Sequence, residues 1–113
     1  MIKIIEESPF LGATLENVDL SKKILIEDQN TIKKALAEYQ VLFFRNQNIT
    51  TEEHKALAKK FGPLENHAYV KGRKNHPEIV RIIKDPNEKN QWGENWHSDV
   101  SYNKKPTKAV ILK

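Results

Sequence analysis

Residues Trp96-His97-Ser98-Asp99 place an imidazole and a carboxylate two positions apart. On a β-strand, residues i and i+2 face the same side, so this spacing lets His97 and Asp99 reach one hard metal ion together. Two histidines and one carboxylate form an open-sided triad that holds non-haem Fe(II) and leaves positions for a co-substrate and oxygen. His97 and Asp99 make up two thirds of such a set. Trp96 falls on the opposite face of the predicted strand, where it would anchor the segment in the core while the two ligands face a cavity. His-x-Asp is also common in surface loops, so a metal site further requires a third ligand and groups that orient the first two.

The other histidines are weaker candidates for the third ligand. His54 lies in a predicted helix, at its surface or edge, and His76 precedes Pro77 in a polar loop, which predicts exposure. His67 follows the helix exit Phe61-Gly62-Pro63-Leu64 in a loop able to fold over a cavity. Its imidazole either donates a hydrogen bond to an anionic ligand there or faces solvent. Ser98 and His97 do not form a nucleophile and base, because adjacent strand positions point to opposite faces. The four glycines, Gly12, Gly62, Gly72 and Gly93, are too far apart for a phosphate loop. The absence of cysteine excludes disulfides, zinc-thiolate sites and thiol nucleophiles.

The elements that must position these residues follow from periodicity and punctuation. Residues 2–5 and 13–18 predict short strands around the turn Ser8-Pro9-Phe10-Leu11-Gly12. Ile32, Ala35, Leu36 and Tyr39 fall at helical spacing, with Glu27 and Asp28 at the dipole's positive end, and predict a helix over 28–40. Val41-Leu42-Phe43-Phe44 reads as a buried strand, and Arg45-Asn46-Gln47-Asn48 as a polar turn. Thr50-x-x-Glu53 has capping-box form, and Gly62-Pro63 stops a helix predicted over 51–61. Further strands are expected at 78–83, around the metal motif and at 108–113, with a polar loop over 84–95. The whole is an α+β chain without internal repeats or a linker.

A length of 113 residues suits one small domain. A hydrophobic share of 38% is low, yet the apolar residues recur periodically, as expected of a soluble globular protein. No apolar run approaches a membrane span and the N-terminus lacks a signal-peptide pattern, so a cytoplasmic location is the expectation. The net charge of +4 raises the question of nucleic acid. Only Arg45, Arg73 and Arg81 could form bidentate phosphate forks, and the lysine pairs are dispersed without interleaved aromatics, which predicts solvated faces.

Several spaced motifs together resemble the N-terminal part of taurine dioxygenase-like Fe(II)/2-oxoglutarate oxygenases, the TauD/TfdA family. They are Gly12-Ala13, Val18-Asp19-Leu20, Ala35-Leu36-Ala37-Glu38, Val41-Leu42-Phe43-Phe44-Arg45-Asn46-Gln47, Lys60-Phe61-Gly62-Pro63-Leu64-Glu65, and Asn95-Trp96-His97-Ser98-Asp99-Val100-Ser101-Tyr102 with Pro106 beyond. The resemblance implies a partial double-stranded β-helix, a jelly roll of the clavaminate synthase-like kind with flanking helices, incomplete at the C-terminus. Residues 1–113 would form the N-terminal portion of a single dioxygenase domain. It further implies His97 and Asp99 as metal ligands for Fe(II), 2-oxoglutarate as co-substrate, and His67 as a substrate contact. The implied reaction is hydroxylation of a small organic substrate, such as a sulfonate, with release of succinate and carbon dioxide.

The family's Gly-Gly-Asp-Thr segment, its distal metal histidine and its 2-oxoglutarate-binding arginine have no match here. The chain is therefore expected to be a truncated form or to need a complementing polypeptide, and to be inactive alone. The alternative is a non-enzymatic remnant or self-associating module, a homo-oligomer joined through an open sheet edge. A nucleic-acid module ranks below both.

Overall fold

Strand β1 (Lys3–Glu6) and strand β2 (Ala13–Glu16) form an antiparallel hairpin in which Lys3 stands opposite Glu16 and Glu6 opposite Ala13. The Lys3 ammonium and Glu16 carboxylate meet at 3.1 Å, an opposite-charge pair across the two strands. The computed structural model describes residues 1–89, 93 and 95–113. The hairpin loop closes through Glu7 N–H donating to the Gly12 carbonyl at 2.9 Å, and Gly12 supplies a φ of +90° that an L side chain rarely adopts. Ser8 Oγ accepts from Leu11 N–H at 3.0 Å, so the turn expected over 8–12 has a local hydrogen-bonded frame.

Helix α1 (Ile26–Tyr39) starts two residues before the predicted boundary. Its stripe is the expected one: Ile32 and Ala35 are buried, Leu36 and Tyr39 half-buried, and Glu27 and Asp28 occupy the first turn. Gln40 ends it in a left-handed conformation, φ +65°, with its N–H on the Leu36 carbonyl. Strand β3 (Leu42–Phe43) then pairs parallel with β2, giving a sheet of order β1-β2-β3. A parallel pair needs a crossover, and α1 provides it. The expectation of a strand buried on both faces is corrected: Leu42 and Phe44 are half-buried while Val41 and Phe43 are exposed. The cause is position, since β3 is an edge of the sheet.

Ile2, Ala13, Leu15, Ile32 and Ala35 form the core, with Phe44 and Phe61 packed against it. Burial of Ile2, Leu15 and Ile32 contributes about 1.5–3 kcal/mol each. Gln47, which the sequence reading left in a polar turn, ties the chain crossing: it accepts from Leu20 N–H at 2.8 Å and donates to the carbonyls of Val18 (3.0 Å) and Arg45 (3.1 Å). Helix α2 (Thr51–Lys59) begins with the expected capping box, Thr50 Oγ1 accepting from Glu53 N–H and Glu53 Oε2 from Thr50 N–H. It ends short of residue 61, where Phe61 and Gly62 turn back on the Ala58 and Lys59 carbonyls.

The chain separates into two compact units, Met1–Gly62 with Lys113, and Pro63–Leu112. The elements above belong to the first. In the second, the strands expected at 78–83, around the metal motif and at 108–113 are not formed. A strand exists only where a neighbour receives its backbone hydrogen bonds, and among the described residues this unit contains one isolated bridge, Arg73 with His76. The apolar, β-branched character of Ile82, Ile83 and Val110 therefore remains on exposed, irregular backbone. The polar loop expected over 84–95 lies partly outside the described residues, at 90–92 and 94.

Candidate functional site

His97 and Asp99 come together without a strand. Their backbone is irregular, yet His97 Nε2 lies 3.2 Å from Asp99 Oδ1, so the two side chains converge as the spacing suggested but by a loop geometry. The predicted strand is corrected together with its consequence for Trp96, which is 105% exposed rather than buried as a core anchor. Without a pleat there is no opposite face to bury it. His97 and Asp99 are also open, with side chains 53% and 62% exposed.

Local bonds orient the pair. His97 Nδ1 sits 2.5 Å from the Asn95 backbone carbonyl, which only accepts, so the ring proton belongs on Nδ1 and the Nε2 lone pair points at Asp99. A backbone carbonyl on the remote nitrogen is the usual device that fixes a metal-binding histidine. In the neutral imidazole two acceptors then face each other, an arrangement that a cation between them satisfies. First-row divalent ions bind N and O at about 2.1 Å, so neighbouring ligands of an octahedron stand about 3 Å apart. The observed 3.2 Å is the length of a direct imidazole–carboxylate contact and is also close to that ligand spacing. Val100, next to Asp99, has φ +49°, an uncommon conformation for a β-branched residue and of the kind found where backbone is held for function. Asn103 N–H donates to the Val100 carbonyl and turns the chain onward.

Among the described residues no third histidine or carboxylate joins this pair in a metal-holding group. His54 lies in α2 and His76 in the isolated bridge, each half-buried; the expected exposure of His76 is corrected, since the turn Arg73–His76 folds its backbone back on itself. Ser98 Oγ bonds Ser101 Oγ at 2.6 Å.

His67 is half-buried, and its Nδ1 accepts from the N–H groups of Tyr69 and Val70, each at 3.1 Å. Two donors on Nδ1 place the neutral ring's proton on Nε2. His67 therefore presents an N–H, the polarity an anion requires. Its loop reaches the metal-motif segment through aromatic contact: Tyr69 meets Tyr102 edge to face at 5.3 Å between centroids. The sequence reading singled out Tyr102 within the metal motif but not its contact with Tyr69, because nothing in the spacing of residues 69 and 102 signals that they meet.

Comparison with known proteins decides the family. The chain matches the taurine catabolism dioxygenase TauD, TfdA family over residues 5–113. The chain belongs to this family. It is 29% identical, over 96% of its own length, to an alpha-ketoglutarate-dependent dioxygenase of Penicillium expansum, and spans 33% of that protein. A crystal structure of a taurine dioxygenase from Burkholderia xenovorans superposes with a TM-score of 0.69 at 33% identity, covering 88% of this chain and 35% of that one. A crystal structure of AAD-2 in complex with Mn(II) and N-oxalylglycine superposes with a TM-score of 0.56 at 29% identity, covering 57% of this chain and 24% of that one. This chain thus spans about a third of the curated relative's length. In this TauD/TfdA chain, His97 and Asp99 lie inside the family match, and so does His67.

Proposed function

We propose that these residues form the N-terminal part of an Fe(II)- and 2-oxoglutarate-dependent dioxygenase domain, a partial double-stranded β-helix with flanking helices. Its reaction is hydroxylation of a small organic acid, a sulfonate such as taurine being one candidate, with release of succinate and carbon dioxide. The observation that carries the reading is the approach of His97 Nε2 to Asp99 Oδ1 within 3.2 Å in a chain of this family. His97 and Asp99 are two of the iron ligands, and the Asn95 carbonyl keeps the His97 lone pair turned toward the ion. Iron and 2-oxoglutarate, when bound, supply the oxygen chemistry. His67 donates from Nε2 to the acid group of the substrate and so orients the carbon to be hydroxylated. The relative's name and the AAD-2 complex support the co-substrate and a divalent ion in this role.

With two ligands the isolated chain should hold iron weakly and turn over little or no 2-oxoglutarate; the remaining ligands come from further polypeptide. The test is Mn(II) and Fe(II) binding by the chain and by its His97→Ala and Asp99→Ala variants. Loss of binding in both is expected. Unchanged binding in either sinks the ligand assignment, and brisk succinate formation by the chain alone sinks the need for a complementing segment.

The open side of β3, which pairs only with β2 among the described residues, favours a second reading, a self-associating module. A monodisperse monomer in size-exclusion chromatography would remove it.

A further inference from the structure

We infer that the cleft at the carboxyl ends of β2 and β3 is a binding site for a small free carboxylic acid, received on the Arg45 guanidinium. It lies within the Met1–Gly62 unit, whereas His97 and Asp99 belong to the other. The cleft follows from the sheet. Parallel pairing of β2 with β3 covers Ala13 with Leu42 and Thr14 with Phe43, and then stops. The same register carried on would set Glu16 opposite Arg45 and Asn17 opposite Asn46. Instead the two segments part, each through a left-handed asparagine, Asn17 at φ +61° and Asn46 at φ +55°. Between residues 14–18 and 45–47 they leave a cavity of about 210 Å³. In open sheets the crevice beyond the carboxyl ends of parallel strands is the usual place for a ligand. Its two walls are fixed to each other, because the Gln47 amide donates to the Val18 carbonyl across the cleft at 3.0 Å and to the Arg45 carbonyl at 3.1 Å.

The polar groups of the cleft divide into spent and unspent. Gln47 is engaged at both ends of its amide, and the Thr14 hydroxyl donates to Glu7. The Glu16 carboxylate on the lining meets the Lys3 ammonium at 3.1 Å. The Arg45 guanidinium lies 4.8 Å over the Phe43 ring, and among the described residues no carboxylate pairs with it. Stacking on an aromatic face holds the guanidinium plane and leaves its edge free, a fixed fork of donors that matches the two oxygens of a carboxylate. The Asn17 and Asn46 carboxamides, also without a hydrogen bond among the described residues, can add a neutral N–H. Lys3, Glu16 and Arg45 together leave a single positive charge, which a carboxylate balances and a doubly charged phosphate exceeds. The cavity is smaller than the roughly 300 Å³ of an ordinary ligand pocket, and Val18 gives it an aliphatic wall, so a short carbon chain fits behind the acid group.

The test is NMR titration of the isotopically labelled 113-residue chain at constant ionic strength. The probes are sodium propionate, its neutral isostere propionamide, inorganic phosphate, and N-acetylglutamate N-methylamide as a stand-in for a protein side chain. The readout is the Arg45 Nε–H resonance, with the exposed Arg81 as the reference for unspecific attraction. Propionate should shift Arg45 saturably, together with the side-chain amide of Asn17 or Asn46, and leave Arg81 in place. Propionamide should shift none of them, and phosphate should bind more weakly. Arg45→Lys keeps the charge and loses the fork, so it should weaken propionate binding about tenfold, and Arg45→Gln should abolish it. Arg45 is exposed, so both variants should fold. Equal shifts at Arg45 and Arg81, a response to propionamide that matches propionate, or tighter binding of phosphate overturns the inference, as does propionate binding that Arg45→Gln leaves intact. Tighter binding of the blocked glutamate than of propionate overturns the free acid as the source and gives the cleft to a polypeptide side chain.

Discussion

Asp99→Asn isolates the charge of the candidate metal site from its shape. The amide has the size of the carboxylate, and its N–H can donate to His97 Nε2, so the facing atoms are satisfied without any cation between them. What is lost is the attraction between a divalent ion and a full negative charge. The ligand side chains are 53% and 62% exposed, which calls for a dielectric close to that of water. At a metal–oxygen separation of about 2.1 Å, the attraction in water is about 4 kcal/mol. The amide oxygen remains a donor and returns part of this, so the dissociation constant for Mn(II) should rise on the order of a hundredfold. Titration of the chain followed by Mn(II) electron paramagnetic resonance measures it, with His97→Ala as the comparison that removes the nitrogen ligand. An Asp99→Asn chain that binds Mn(II) as the wild type does would refute the argument, since the ion would then be held elsewhere.

Gln47→Ala should lower stability by about 2 kcal/mol, because it strands the Leu20 N–H and the Val18 carbonyl at a partly buried crossing; an unchanged urea midpoint would contradict this. Thr50→Ala removes half of the α2 capping box and should lower stability by about 1 kcal/mol in the same assay, with no loss expected only if the cap is not formed. Loss of solvent, then the Glu38 and Glu6 carboxylates, raise the Tyr39 phenol above its ordinary 10.0, so the folded state keeps that proton longer than the unfolded chain. The associated stability is whole below about pH 10 and falls as pH rises through the folded value, so Tyr39→Phe should lose less stability than wild type between about pH 9 and pH 11; equal losses would refute it. Val100→Asn, which tolerates the left-handed conformation better, should stabilise the chain by about 1 kcal/mol, as read by urea midpoint, and a destabilised variant would argue against strain at this residue.

Much of the Met1–Gly62 unit was legible because its signals are local. A 3.6-residue stripe predicted α1, a four-residue capping pattern predicted the start of α2, and a Pro–Gly turn placed the first hairpin. The second unit was misread for a physical reason. Glu78–Ile83 and Lys108–Lys113 have strand composition, but a strand is a property of a pair, and composition reports only one member. Gln47 was invisible for the complementary reason: two of its hydrogen bonds, to Leu20 N–H and the Val18 carbonyl, reach across the chain to atoms whose acceptance or donation leaves no trace in residue type. Tyr69 with Tyr102, and Glu65 with Thr107, are likewise single long-range contacts without periodicity.

At the candidate site two side chains approach each other although the strand expected to bring them together is not formed. His97 and Asp99 were linked because a pleat would turn both to one face, yet their backbone is irregular and they still converge to 3.2 Å. One intervening residue keeps two side chains within reach in many backbone conformations; what a strand adds is rigidity. Here orientation comes instead from the Asn95 carbonyl on one ring nitrogen and from the turn built on Val100 and Asn103. Such a site is held by a few local bonds rather than by a ladder, so the ion itself should contribute a larger share of its order. Metal binding should therefore sharpen the signals of residues 95–103 when a diamagnetic ion such as Zn(II) is used, while α1 and α2 remain unchanged. If that segment were equally ordered with and without the ion, its local bonds alone would suffice to hold the two ligands in place.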